Sequence, residues 1–303
     1  MKLIVTSDWH LRTEKPRCRI DEDWIQTQNK VLDFVFKTAV ENDADIAVVG
    51  DVFDLPIVHP KLVNMILEKI NIAWQTSVKN NFKFYIIAGQ HDLPHHRFED
   101  IDNSSFGTLW KSGKVKGLGN IGTAFHFGTE KELNKLDEKI KNEFVFLHTL
   151  TFPHSDEIPP FIKDAVGANQ LLKKYPAKYI CTGDNHHGFI YEDEYRYVIN
   201  PGCLTIQTSD MINYQPFIVL IDTEKEMVKK IFVPSDSEYV TDEYIKENEK
   251  RDERIESFVE SIATAGKLSL SFEDNLNKAI ERNKNELGEE TIDIITEIME
   301  ETK

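Results

Sequence analysis

Short runs of apolar, mostly β-branched residues recur through the first three quarters of the chain, with helical stripes between them. Leu3–Thr6, Ile46–Val49 and Phe82–Ala88 read as strands, because each is a nearly unbroken apolar run that stops at a polar or glycine-bearing segment. Between them, Ile25, Val31, Phe34, Val35 and Thr38 recur at helical spacing within Trp24–Glu41. Leu62, Ile66, Leu67, Ile70 and Ala73 share one face of a helix over Pro60–Lys79, with Pro60 near its start. Strand and helix in alternation predict a parallel sheet with helices packed on it. Leu11–Asp23 is polar and reads as a loop, and Leu93–Gly113 as a long irregular region. Further strands are predicted at Val115–Leu118, Thr123–Phe127, Phe144–Leu147, Tyr179–Thr182 and Tyr197–Ile199. Phe217–Ile221 and Val228–Val233 should pair across the turn Asp222–Glu226. A helix is expected over Glu130–Asn142, and another ending near Lys174.

After Pro234 the strand signal stops. Ile255, Phe258, Val259 and Ile262 suit one amphipathic helix. Ser271-Phe272-Glu273-Asp274 resembles a capping box that opens a second, with Phe272, Leu276, Ala279 and Ile280 on one face. Gly288 can end it, and Ile292, Ile295, Ile298 and Met299 suit a third. The expected organisation is therefore a strand-rich α/β domain over 1–234 and an all-helical region over 235–303. Charge sharpens that division: 20 acidic against 9 basic residues fall in 235–303, so −11 of the chain's net −16 lies there. Such a balance argues against gripping nucleic acid with a broad basic face. With no apolar run of spanning length, no secretory signal and three widely separated cysteines without CxxC spacing, the expectation is a reduced, cytoplasmic protein with no membrane contact.

The chemistry gathers at strand ends. Asp8 and His10 follow the first strand, Asp51 the second, and Gln90 and His91 the third. His148 ends another, and Asp184 and His186 follow Tyr179–Thr182. Open α/β sheets bind ligands outside the carboxyl ends of their strands. These are oxygen and imidazole donors with no thiol, a set that suits Mn²⁺, Fe²⁺ or Zn²⁺. Seven donors are too many for one ion and fit two ions bridged by one carboxylate, for which Asp51 on a central strand is the natural choice.

The order Asp-x-His, Gly-Asp-x-Phe-Asp, Gly-Gln-His-Asp, His and Gly-Asp-x-His resembles the calcineurin-like metallophosphoesterases. Within that superfamily it is most similar to the SbcD-type nucleases of double-strand-break repair, phage recombination subunits included. Gly50-Asp51-Val52-Phe53-Asp54, the segment from Ser104 to Val115, and Asn200-Pro201-Gly202-Cys203-Leu204-Thr205 carry the narrower likeness. The resemblance covers roughly 1–234. It implies a β-sandwich flanked by helices (α/β/β/α), here with an all-helical C-terminal extension. It also implies that Asp8, His10, Asp51 and His186 hold one divalent metal, and Asp51, Gln90, His148 and Asp184 the other. Mn²⁺ leads, with Fe²⁺, Zn²⁺ or Mg²⁺ as alternatives. His91 would act on the leaving oxygen or the phosphate, with Asp54 orienting it. Gln90 stands where the family keeps Asn, and Asp184 where it keeps His. Both departures fall on the second metal, and the added negative charge favours a harder ion.

What the resemblance implies about function is a two-metal phosphodiesterase acting on DNA as an exonuclease, also a single-strand endonuclease. Its partner would be an SbcC-type ABC-ATPase with a coiled coil, docked through the helical tail, and a homodimer is admitted. Two alternatives stay open: a phosphatase or cyclic phosphodiesterase on RNA or small molecules, and a non-catalytic scaffold with a decayed second metal site. The tail's apolar stripes are most simply explained by packing back on the domain, and docking of a partner is the sharper alternative. His95, His96 and His187 read as loop neighbours of the ligands, Trp9 and Cys181 as core, and Cys203 as a replacement for the family's serine; His126 and His154 fall in no pattern.

Overall fold

A computed structural model describes residues 1–78, 80–129, 143–234, 239–243, 245, 272–284, 287–288 and 291–295. The chain divides into two units, Met1–Thr241 and Asp242–Lys303. The first extends past Pro234 because residues 239–241 hydrogen-bond to the loop before the first helix. Ile20 N donates to Tyr239 O at 2.9 Å, and Thr241 N to Cys18 O at 2.7 Å.

Strands β1 (Lys2–Thr6), β2 (Asp45–Val49) and β3 (Phe84–Ile87) pair in parallel. Helices α1 (Trp24–Glu41) and α2 (Pro60–Thr76) are the crossovers between them. Asp23 caps α1 by accepting from Gln26 N at 3.0 Å, and Pro60 opens α2, where a missing N–H is harmless. Successive strand side chains point to opposite faces. Ile4, Ile46, Val48 and Phe84 therefore pack with Leu32 and Val35 of α1 and with Leu62 and Ile66 of α2. Leu3, Val5, Ala47, Val49 and Ile87 face the other way, toward a second sheet.

Between the sheets lies α3 (Ser105–Lys111) in sequence, followed by β4 (Lys116–Gly117) and β5 (Thr123–Phe125). The second sheet takes its centre from β6 (Phe144–His148) and β9 (Tyr179–Gly183), which pair in parallel. Before β9 come the small parallel pair β7 (Thr151–Phe152) and β8 (Val166–Gly167), then α4 (Ala168–Lys174). The chain continues through the antiparallel pair β10 (Phe189–Asp193) and β11 (Arg196–Asn200) and the hairpin β12 (Phe217–Asp222) and β13 (Met227–Phe232). The strand orders are β13-β12-β1-β2-β3-β4 and β10-β11-β9-β6-β5. Phe144, Phe146, Tyr179, Cys181 and Ile199 fill the space between the sheets. Val145, Leu147, Ile180 and Val198 turn outward onto Leu171, Leu172 and Tyr175 beside α4. The layers are helix, sheet, sheet, helix, the α/β sandwich expected from the sequence.

Several elements differ from expectation, the short pair β7 and β8 among them. Within Leu93–Gly113 lies α3, capped by Ser104 Oγ accepting from Gly107 N at 2.9 Å. Its apolar face, Phe106, Leu109 and Trp110, had helical spacing but covers only two turns. Strand β10 carries three apolar residues before the acidic Glu192–Glu194, too few to register as a strand; its pairing with β11 around a turn at Glu194 (φ +56°) sustains it. Helix α2 ends at Thr76 rather than Lys79.

In the second unit, the described residues include a helix Phe272–Arg282 and a helical stretch at 291–295. The helices expected over 130–142 and through 255–262 lie outside the described residues. Among the described residues no helix is long and apolar enough to cross a membrane. All three cysteines are free thiols and buried.

Candidate metal centre

Beyond Thr6 and Val49 the chain keeps the pairing of β1 with β2. Asp8 N donates to Gly50 O at 3.1 Å, His10 N to Asp51 O at 3.0 Å, and Leu11 N to Val52 O at 3.1 Å. This brings the motifs after β1 and β2 side by side. The second sheet closes on them from across the sandwich: the His148 ring at the end of β6 meets Val49 O, with Nδ1 at 2.7 Å. Glycines make the approach possible. A Cβ at Gly50 would lie 2.1 Å from His148 Nδ1, and one at Gly89 would lie 2.1 Å from Asp51 Oδ1. The motif glycines thus leave room for a donor from another motif.

Four candidate ligands sit in left-handed backbone: Asp8 (φ +49°), His10 (+42°), Asp51 (+51°) and Asp184 (+75°). Each such residue carries a strain of order 1–3 kcal/mol, which is characteristic of functional sites. Here the strained turns aim consecutive carboxylates and imidazoles at one point.

Among the described residues, three groupings of donor atoms each lie within 4.8 Å of one another: Asp8, His10 and His186; Asp8, Asp51 and His148; His10, Asp51 and His91. His10 Nε2 stands 3.1 Å from His186 Nε2, and His148 Nε2 stands 3.3 Å from Asp51 Oδ2. Gln90 joins from β3, its amide nitrogen donating to Asp184 Oδ1. Asp51 Oδ2, His148 Nε2 and Gln90 Oε1 are buried and make no hydrogen bond. Buried polar atoms without partners call for an explanation. Divalent cations supply one here, because the orphaned atoms are carboxylate, imidazole and amide donors converging on the same space. The donor set therefore fits two ions. Asp8 as well as Asp51 belongs to two of the groupings, so either carboxylate could stand between the two positions.

The ring tautomers follow from what each nitrogen meets. His148 Nδ1 faces Val49 O, and His91 Nδ1 faces Asp54 O at 2.9 Å. A carbonyl can only accept, so both Nδ1 atoms carry the proton and both Nε2 atoms are left for the site. Burial by itself would lower the pKa of His148. The carboxylates of Asp51, Asp8 and Asp184 outweigh it and push the group up to about 10. Despite its own burial, Asp51 is held well below the usual carboxylate range by His148, His10 and His91.

A raised histidine pKa stabilises the metal-free fold. The contribution is complete below the ordinary histidine range of ~6.5. It is lost as pH rises through about 10. A divalent ion takes the place of that proton. Metal uptake near neutral pH is therefore expected to release at least one proton, and to tighten with rising pH across that window. Calorimetric titration of chelator-stripped protein in two buffers of different ionisation enthalpy reads the release. A release of zero would show that His148 is already neutral in the metal-free protein.

Asp54 lies elsewhere than expected. Its backbone carbonyl, not its carboxylate, meets His91. The carboxylate pairs with Arg12 Nη1 at 3.0 Å and lies 3.5 Å from His10 Nδ1, an ion-pair contact at the outer limit of hydrogen bonding. The reason is local: Leu11 O accepts from Asp54 N at 3.2 Å, which ties the residue to the Asp-x-His strand end. Asp54 thus orients the candidate ligand His10, and His91 only through its main chain.

Asp92, the last residue of the Gly-Gln-His-Asp motif, has a role that the sequence did not suggest. It is fully buried and accepts from Val52 N (3.2 Å), Phe53 N (2.9 Å) and Gly89 N (3.0 Å), tying the loops after β2 and β3 together. Burial and the neighbouring Asp51 push its pKa up to about 7 against the pull of those three donors. The Asn200-Pro201-Gly202-Cys203 turn braces the Asp184–His186 loop: Asn200 Nδ2 donates to Asn185 O at 3.0 Å and Cys203 N to His186 O at 3.1 Å. Among the other histidines, His96 joins its Nδ1 to Gln90 O at 3.0 Å, His95 is exposed, and His187 lies 3.8 Å from Asp210. His126 accepts from Ala88 N at 3.0 Å, and burial lowers its pKa to about 4.

The sequence profile of the family described as calcineurin-like phosphoesterase matches residues 1–188. No curated protein sequence matches the chain. Among solved structures, TT1561 of Thermus thermophilus is similar at 11% identity, over 76% of this chain and 98% of its own, with a TM-score of 0.44. A protein described as a novel archaeal phosphodiesterase is similar at 12% identity, over 77% of this chain and 100% of its own, with a TM-score of 0.38. Likenesses of this size have no bearing on what the chain does.

Proposed function

The chain belongs to the calcineurin-like phosphoesterase family, and from that premise we propose that it is a two-metal phosphodiesterase that cleaves DNA. The observation that carries the reading is the convergence of unpaired buried donors from Asp51, Gln90 and His148 next to a histidine whose free Nε2 faces the same space. Asp8, His10, Asp51 and His186 would hold one ion, and Asp51, Gln90, His148 and Asp184 the other. Mn²⁺ is the leading ion for this mixed oxygen and imidazole set. Bound ions of this kind acidify water and neutralise phosphoryl oxygens. The remaining work falls to side chains. His91, its Nδ1 proton held by Asp54 O, would present Nε2 to the leaving oxygen and, when it enters the reaction as the imidazolium, pass its Nε2 proton to that oxygen and be left neutral with the proton on Nδ1. The Asp54 carboxylate, 3.5 Å from His10 Nδ1, would hold that ring by charge, and Asp92 ties together the two loops that carry Asp51 and Gln90.

DNA as substrate is supported by the motifs shared with SbcD-type nucleases, Gly50-Asp51-Val52-Phe53-Asp54 and the Asn200–Thr205 turn. A coiled-coil ABC-ATPase is the partner that goes with that reading, and the acidic region over 235–303 is the candidate docking element. The net charge of −16 favours a second reading, a phosphodiesterase of small molecules that needs no polyanion grip. One experiment separates them. With Mn²⁺ the purified protein should degrade linear or single-stranded DNA, weakly when alone and better with its ATPase. Robust phosphomonoester turnover with DNA left intact at every salt concentration, with or without the ATPase, would overturn the nuclease reading.

A further inference from the structure

A cleft of about 980 Å³ opens directly from the candidate metal centre, with Gln90, His148 and Asp184 forming one end. It runs along the outer side of the second sheet to the loop before β8 and the end of α4, where Lys163 and Lys174 line it. Its walls are largely apolar, among them Phe127, Leu150 and Tyr175. Next to the lining pair Ile162 and Lys163 stands Phe161, which at 83% is the most exposed large apolar side chain among the described residues. Asp164 also lines the cleft, so its positive charge is local to the two lysines rather than spread.

We propose that this cleft receives an unpaired stretch of polynucleotide leading away from the scissile phosphate, with Phe161 stacking on a base and Lys163 and Lys174 each taking a backbone phosphate. The inference rests on the phosphodiesterase reading and names the form of substrate that site takes. Three features favour a strand over a small ester. The volume is at the top of the range for small-ligand pockets, about 300–1,000 Å³, so a small diester at the metals would leave most of it empty. The two cations line the cleft apart from the candidate ligands, which suits phosphates other than the one being cleaved. An exposed aromatic beside a lysine is the arrangement by which proteins hold single strands without reading sequence, because every base offers a π-face. An internal base of a duplex has both faces covered by its neighbours, so successive bases along the cleft can reach Phe161 only when the stretch is unpaired.

The test compares wild type, Phe161→Ala and the double variant Lys163→Ala/Lys174→Ala, full-length and loaded with Mn²⁺, on a single-stranded oligonucleotide and on bis-p-nitrophenyl phosphate. The expected result is a KM for the oligonucleotide raised about tenfold in each variant. The double variant should also show a weaker salt dependence. Turnover of bis-p-nitrophenyl phosphate and metal content should stay within twofold of wild type, which also shows that the variants fold. Unchanged oligonucleotide kinetics, or equal losses on both substrates, would overturn the cleft assignment and leave the nuclease reading standing. A wild type that hydrolyses the small diester but no polynucleotide would overturn the nuclease reading and this inference with it.

Discussion

Replacing Asp51 with alanine is expected to abolish hydrolysis and to empty both metal positions. Asp51 is fully buried, and its two oxygens have separate duties. Oδ1 accepts from His91 N at 2.9 Å and so sets the loop that carries His91. Oδ2 makes no hydrogen bond but lies in ion-pair contact with His148 Nε2 at 3.3 Å and His10 Nε2 at 3.7 Å. Removing the carboxylate takes an anion from the midst of the donor set and leaves the His148 imidazolium of the metal-free protein without its nearest counter-charge. Breaking a buried ion pair from one side destabilises by ~3–5 kcal/mol. Activity on bis-p-nitrophenyl phosphate should fall below about a thousandth of wild type, a loss on the scale of removing one preorganised charge-stabilising group. Asp51→Asn is the informative companion, since it keeps an acceptor for His91 N and the side-chain volume but loses the charge. It should bind metal poorly while folding better than the alanine variant. Elemental analysis, turnover and denaturation of the metal-free proteins read the three quantities. Activity surviving within tenfold in Asp51→Ala would overturn the two-metal assignment.

His91→Ala should separate chemistry from metal holding. His91 is only partly buried, its Nδ1 is committed to Asp54 O, and its ring stands edge-on to His10 at 4.7 Å between centroids. Distance alone would admit it as a ligand, because it shares a grouping with His10 and Asp51. Under the proposed role, the variant keeps two Mn²⁺ per chain while kcat falls ~10²–10⁴-fold, the span for loss of a positioned general acid. Asp54→Asn should behave differently, given where its carboxylate points. It weakens the hold on His10 and Arg12, so its effect should show in metal affinity more than in the pH dependence of kcat. Loss of one metal in His91→Ala would move that residue into the ligand set.

Much of this architecture was legible in the sequence because it repeats one device, an apolar strand that stops at a polar donor. Parallel pairing of β1, β2 and β3 follows from strand–helix alternation. The spacing of Asp8 and His10, and of Asp184 and His186, places each pair in one turn at a strand end. What was not legible depends on three-dimensional neighbours. The side chain of Asp54 chooses Arg12 and His10 because its main chain is stitched to Leu11. Asp92 matters because three N–H groups from two loops happen to face it. Helix α3 and strand β10 are too short for periodicity to stand out, and a cap and a hairpin partner hold them instead.

The left-handed turns at Asp8, His10, Asp51 and Asp184 bear on how such a chain can change over generations. Glycine, or asparagine in place of aspartate, would relax each turn, so mutation offers routes to a calmer fold at every one of these positions. Glycine removes the donor outright, and asparagine keeps one oxygen but gives up the charge. A lineage that had given up hydrolysis and kept the fold only as a platform would drift down them freely, gaining stability as it went. Keeping all four donors therefore keeps the strain of all four turns, a standing cost of the metal site to the fold.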